Sequence, residues 1–165
     1  MILGHITNTY MLHKLSGRFR KLMPVLPLFA GVMAPDVLDK CMHYTLPEYP
    51  GRGVFHSAVV LTALLMIPWI ATGRRFMLLP VVYLGALLHL AQDTVEPVIA
   101  LWPFWGDLYV DPPVPILKKI EIFYVEKSFS WLWVVEMVSL AYCLLYLVAG
   151  FMSRLREKTL RTESQ

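Results

Sequence analysis

Three short motifs carry the side chains able to do chemistry in this chain. "HLAQD" sets His89 and Asp93 four residues apart, so on a helix they share one face. "APDVLD" sets Asp36 and Asp39 three apart, which does the same if a helix persists there. "GRGVFHS" supplies Arg52, His56 and Ser57. His5 follows Gly4 near the N-terminus, and Glu136 interrupts a long apolar run near the other end. Asp, Glu and His in apolar helices normally face a bundle interior or cavity and pair with something. The local cations are Lys40 and Arg52. Carboxylates crowded into a low dielectric repel one another or take up protons. A divalent cation resolves that repulsion. Carboxylate oxygen with imidazole nitrogen suits Zn, Mn or Fe-type ions, and an open position on such an ion suits hydrolysis.

The candidate metal ligands are therefore Asp36, Asp39, His56, His89 and Asp93. Asp36 or Asp39 is the candidate general base. Ser57, Arg52 and Glu136 are candidates for a supporting layer or for substrate contact. Taken singly, each motif has a simpler reading. A lone His is a bundle hydrogen-bonder, "PDVLD" a helix exit, Ser57 a helix cap and Glu136 a packing residue. Their gathering in one place argues for a shared site, and Zn or Mn is the expected cofactor.

The elements that must position these residues are apolar. The 165-residue chain is 57% hydrophobic and 16% charged, against about 25% charged in an ordinary soluble domain. Its mean hydropathy is +0.56. The composition predicts an all-α, polytopic membrane helix bundle forming one integral membrane domain over residues 1–165. Four segments approach the ~20 residues of a spanning helix: about 22–39, 54–72, 76–97 and 129–151. Segment 1–17 reads either as an interfacial helix or as a short fifth span. Interfacial helix also fits near 115–127, in an outer loop rich in aromatics and proline.

Basic residues set the orientation. Lys14, Arg18, Arg20 and Lys21 precede the first span, Arg74 and Arg75 link the second and third, and Arg154, Arg156, Lys158 and Arg161 follow the fourth. Placing these on the cytoplasmic face sends 40–53 and 98–128 outward. Asp36, Asp39, His56, His89, Asp93 and Glu136 then fall on the outer side. At ~1.5 Å per residue, His89 lies about 12 Å and Asp93 about 6 Å inside the outer end of the third span. The loop tryptophans Trp102 and Trp105 suit an interfacial belt.

In this order the motifs "GH" (4–5), "APDVLD" (34–39), "GRGVFHS" (51–57), "HLAQD" (89–93) and "LWP" (101–103) resemble one family. It is that of bacterial inner-membrane, metal-dependent hydrolases, also described as LexA-binding inner-membrane-associated hydrolases. Its pattern is a GH, a PDxD, an HRGxTHS and an HxxxD with a later WP. The resemblance covers about residues 1–105. It implies an inner-membrane hydrolase with polar positions at His5, Asp36, Asp39, His56, Ser57, His89 and Asp93, and so adds His5 to the candidate metal ligands. Gly51 and Phe55 stand where the family has His and Thr, and "PDVLD" is one residue longer than PDxD. The lost His implies one ion in place of two, or an inactive relative. The order of Asp, His and HxxxD is also similar to that of zinc-dependent phospholipase C, an all-helical phosphoesterase. That likeness requires His5 to reach the outer leaflet on an inward-running helix.

Cys41 and Cys143 lie far apart and form no CxxC pair, so they read as apolar thiols. A net charge of only +3, clustered near apolar segments, argues against nucleic acid as a partner. No HExxH and no GxSxG occurs, which sets aside zincin and serine-hydrolase chemistry. No removable signal peptide is expected, since "MILGHITNTY" lacks a charged start and a cleavage site. The expected function is metal-dependent hydrolysis at the outer leaflet of a lipid-like phosphoester. The rivals are a metal or proton transporter and a catalytically inactive membrane adaptor.

Overall fold

A computed structural model of the chain describes residues 2–46, 48–93, 97–105, 108, 116–122, 125 and 131–163. The described residues are helical, with no strand among them. The expected all-α class is found. In chain order the helices are α1 (Ile2–Leu15), α2 (Val25–Thr45), α3 (Ala58–Ala71), α4 (Leu79–Asp93), α5 (Pro97–Ala100), α6 (Ile116–Glu121) and α7 (Trp131–Glu163). Short 3-10 turns cover Gly17–Lys21 and Val54–His56.

Local chemistry explains several boundaries. Pro24 caps the start of α2 at φ −54°, where a residue without an N–H does no harm. The helix therefore begins at Val25, later than the expected residue 22, and runs on to Thr45. Ser57 caps α3 by accepting the Val60 amide on its hydroxyl at 3.3 Å, as its residue type predicted. Of the expected helix near 115–127, Ile116–Glu121 is helical as α6; most of residues 106–130 lies outside the described set.

Side-chain pairs reveal the helix directions. Gly85 packs on Val32, and one turn further along both helices His89 lies near Asp36. α2 and α4 thus run the same way. His56 meets His89, whereas Thr62 bonds Tyr83, so α3 runs against α4. Thr7 bonds Ser139 and Lys14 bonds Tyr146, so α1 runs alongside α7 in the same sense. Helix direction therefore alternates along the chain. The C-terminal ends of α2 and α4 meet the N-terminal ends of α1, α3 and α7 at one end of the bundle. The ambiguous segment 1–17 is a bundle helix, packed on α7, α2 and α4.

The core is thin. Leu28 and Val32 are buried in α2. Leu61, Ala86 and Leu90 cluster between α3 and α4, with Ala58, Tyr83 and Leu87 around them. Among the described residues one helix, α7, is able by length and composition to cross a membrane: Trp133–Glu157 has mean hydropathy 2.0, and 17% of its apolar window is buried. α3 is apolar too, but only 14 residues long, short of the ~20 a span needs. α4 has 15 residues.

Candidate metal site

Five expected residues arrive at the same end of the bundle on separate elements. α1 brings His5, α2 brings Asp36, the 3-10 turn brings His56, and α4 brings His89 and Asp93. His56 Nε2 lies 3.2 Å from His89 Nε2. It is 3.8 Å from Asp36 Oδ1 and 3.8 Å from Asp93 Oδ2. His89 Nε2 is also 3.8 Å from Asp93 Oδ2. His5 Nε2 approaches Asp93 Oδ1 to 2.9 Å, and its ring lies 4.3 Å from that of His89. Two overlapping groups result, His5–Asp36–His89 and His56–His89–Asp93, each with ligand atoms within 4.8 Å of one another. Both contain His89, which is fully buried.

These residues fit a divalent ion. With metal–nitrogen bonds of about 2.0–2.1 Å, two tetrahedral imidazole ligands sit about 3.3 Å apart. The His56–His89 separation matches that, and the oxygen distances are slightly wider. The supporting bonds fit as well, because a ligating imidazole usually donates its second N–H to an acceptor that fixes its tautomer. His56 Nδ1 donates to Asp39 Oδ2 at 2.5 Å, which leaves Nε2 with a lone pair aimed at the cluster. His5 Nδ1 donates to Gln92 Oε1 at 3.1 Å, while the Gln92 amide donates to Thr9 Oγ1 at 3.3 Å. His89 Nδ1 is buried with no hydrogen-bond partner among the described residues.

Asp39 stands apart from the other expected ligands. It is fully buried and belongs to neither group. Its oxygens accept four donors: the Tyr49 hydroxyl at 2.6 Å, the amides of Gly53 at 2.8 Å and Phe55 at 3.1 Å, and His56 Nδ1. The i,i+3 spacing did put both acids on one face of α2, but only Asp36 reaches the cluster. The rim is cationic. Lys40 Nζ sits 3.1 Å from Asp36 Oδ2, and an Arg52 guanidinium nitrogen 3.0 Å from Asp93 Oδ2. Both cationic side chains are about half exposed, at 43% and 48%.

The remaining candidates lie further out. Ser57 donates its hydroxyl to the Trp102 carbonyl at 2.6 Å, tying "GRGVFHS" to "LWP". Glu136 is buried with its carboxyl against Gly4, one residue before His5. Sequence reasoning missed Tyr49 and Gln92. Gln92 lies inside "HLAQD", three residues from His89, so its place on the helix was available. Nothing in the spacing marks Tyr49, since it reaches Asp39 only because the loop folds back. No family model, no curated protein and no solved structure matches the chain. The family likeness rests on the motifs alone.

Proposed function

We propose that this protein is a membrane-embedded, metal-dependent hydrolase acting on a lipid-like phosphoester. The observation that carries the reading is the pair of overlapping His/Asp groups, assembled from four separate elements at one end of an apolar bundle. Clustered acids and imidazoles with so little exposure need a cation to be stable together. His5, Asp36, His56, His89 and Asp93 would hold one ion, Zn or Mn by donor type. When bound, it supplies Lewis acidity toward a substrate oxygen and toward water.

The chain's own residues do the rest. Asp39 holds the His56 ring in the tautomer that presents Nε2, so its role is positioning. Gln92 does the same for His5. Of the two candidate bases Asp36 is the one at the cluster, and the oxygen it does not give to the ion would accept a proton from water. Arg52 and Lys40 flank the cluster and can receive an anionic group. The exposed apolar residues of α3 and α7, such as Leu64, Ile67, Ile70, Leu145, Leu147 and Phe151, support contact with lipid tails. We place four spans at α2, α3, α4 and α7, the short α3 and α4 lengthened by the turns that flank them, with α1 as a fifth helix beside them. Alternating helix directions support this, because they gather Lys14, Arg18, Arg20, Lys21, Arg74 and Arg75 at the end away from the site. By the positive-inside rule that end is cytoplasmic. The motif resemblance then points to a bacterial inner membrane with the site on the periplasmic side.

Metal analysis of detergent-purified protein tests the reading. Wild type should carry about one Zn or Mn per chain, and a variant with His89→Ala and Asp93→Ala should carry none. Equal metal in both sinks the ligand set. Turnover of a phosphoester lipid by the metal-loaded protein, lost in the same variant, separates enzyme from adaptor.

One observation favours a transporter instead. Thr7, Asn8, Thr9 and His13 of α1 are buried below His5. Asn8 Oδ1 and His13 Nδ1 have no hydrogen-bond partner among the described residues. Of the four buried residues, Thr9 and His13 follow His5 at four-residue steps, so they continue one face of α1 from the site toward the basic end. Metal uptake by proteoliposomes without phosphoester turnover would decide for that reading.

A further inference from the structure

The loop between α2 and α3 is built around one carboxylate. Asp39 gathers donors from residues 49, 53, 55 and 56. Among them Tyr49 is the only side chain besides His56. Its hydroxyl donates to Asp39 Oδ1 at 2.6 Å and accepts the Val54 amide at 2.9 Å. Its backbone is fixed as well, since His43 Nδ1 donates to the Tyr49 carbonyl at 2.6 Å. His43 lies one turn beyond Asp39 on α2. The Tyr49 ring packs over Gly53 so closely that a Cβ there would lie 2.3 Å from the hydroxyl oxygen. Tyr49 is thus held at its backbone, at its ring and at its hydroxyl.

We infer that Tyr49 is a positioning residue for the metal site, acting on the ion through Asp39 and His56. With Oδ1 engaged by the Tyr49 hydroxyl and the Phe55 amide, the Asp39 carboxylate cannot rotate. Oδ2 then stays in line with His56 Nδ1–H, and the His56 lone pair at Nε2 stays aimed at His89 and Asp93. Removing the hydroxyl leaves Oδ1 with the Phe55 amide alone and the Val54 amide without its acceptor, so the carboxylate and the His56 ring it holds are loosened. Burial first, and then the Asp39 carboxylate, hold the Tyr49 hydroxyl well above its ordinary pKa. It therefore remains a protonated donor throughout the range in which the protein would be assayed. The inference rests on the metal-site reading, and it assigns a role to a residue outside every motif noted in the sequence.

Two measurements on the full-length protein test it. Zn affinity is read by competition with a chromophoric chelator. The His56 tautomer is read from ring 15N shifts of the chelator-treated, metal-free protein. Tyr49→Phe keeps the ring and should weaken Zn binding about 10-fold, the size of a typical outer-layer effect. It should also shift the His56 nitrogens from a single Nδ1–H form toward a mixture, with the His5 signals unmoved. Gly53→Ala should do the same by displacing the hydroxyl without removing it. Tyr44→Phe, on a side chain 85% exposed, should do neither. Unchanged His56 shifts in both Tyr49→Phe and Gly53→Ala overturn the inference. If wild type binds no Zn, the hydrolase reading falls, while the metal-free nitrogen shifts still decide the role of Tyr49.

Discussion

Four donors converge on the buried Asp39 carboxylate, and that makes it a stability residue. Asp39→Ala leaves the Tyr49 hydroxyl, two backbone amides and His56 Nδ1 without their acceptor. Each unmet buried donor costs roughly 1–3 kcal/mol, lowered where the loop relaxes to water. A loss of about 3–5 kcal/mol is expected, the range for breaking a buried charged pair. Denaturant unfolding in detergent checks it. Asp36→Ala should cost less, because its partner Lys40 is half exposed and remains solvated, yet it should weaken metal binding more. The pairing of large stability loss with Asp39 and large metal loss with Asp36 is what separates the two acids. Their spacing in the sequence could not. Residues 36 and 39 share a helix face, and only the returning loop decides which of them is enclosed by donors.

At the scale of elements, the site depends on how closely α2 and α4 approach. A Cβ on Gly31 would lie 2.0 Å from the Val82 carbonyl oxygen, and one on Gly85 2.2 Å from the Leu28 carbonyl oxygen. Both obstacles are backbone, so neither can step aside. Gly85→Ala must push the helices apart, at a cost of about 1–3 kcal/mol or more. The shift passes one turn along each helix to Asp36 and His89. We expect Gly85→Ala to reduce metal content although it touches no ligand. Gly150→Ala, in open space inside α7, should raise stability slightly, by up to about 1 kcal/mol, and leave metal content unchanged. Metal analysis of the two variants side by side is the check. The HxxxD and PDxxD spacings were legible because helical period alone places each pair on one face. The crossing was not, since two isolated glycines in apolar runs look the same whether they face lipid or another backbone.

For the molecule as a whole, polarity is segregated along the bundle axis. His5, Asp36, Asp39, His56, His89 and Asp93 gather at one end with Lys40 and Arg52 at their rim, while Lys14, Arg18, Arg20, Lys21, Arg74 and Arg75 lie toward the other. In a background lacking Cys41 and Cys143, Arg52→Cys should react with an impermeant thiol reagent from the outer side. Arg75→Cys should react only after the membrane is opened. Labelling of position 52 from the cytoplasmic side alone would reverse the proposed orientation. Composition determined by itself that the chain is apolar and helical, and residue type determined which side chains could bind a cation. Those are properties of single residues and of one helical repeat, so a sequence carries them. Tertiary structure decided that His5 belongs to the cluster, because α1 runs against α4 and sets its first turn beside the last turn of α4. It also decided that Asp39 and Tyr49 stand behind His56, since that depends on contacts between residues 39 and 49–56 that no periodicity encodes. Such contacts come from how the loop closes over the helix end, where geometry in space replaces spacing along the chain.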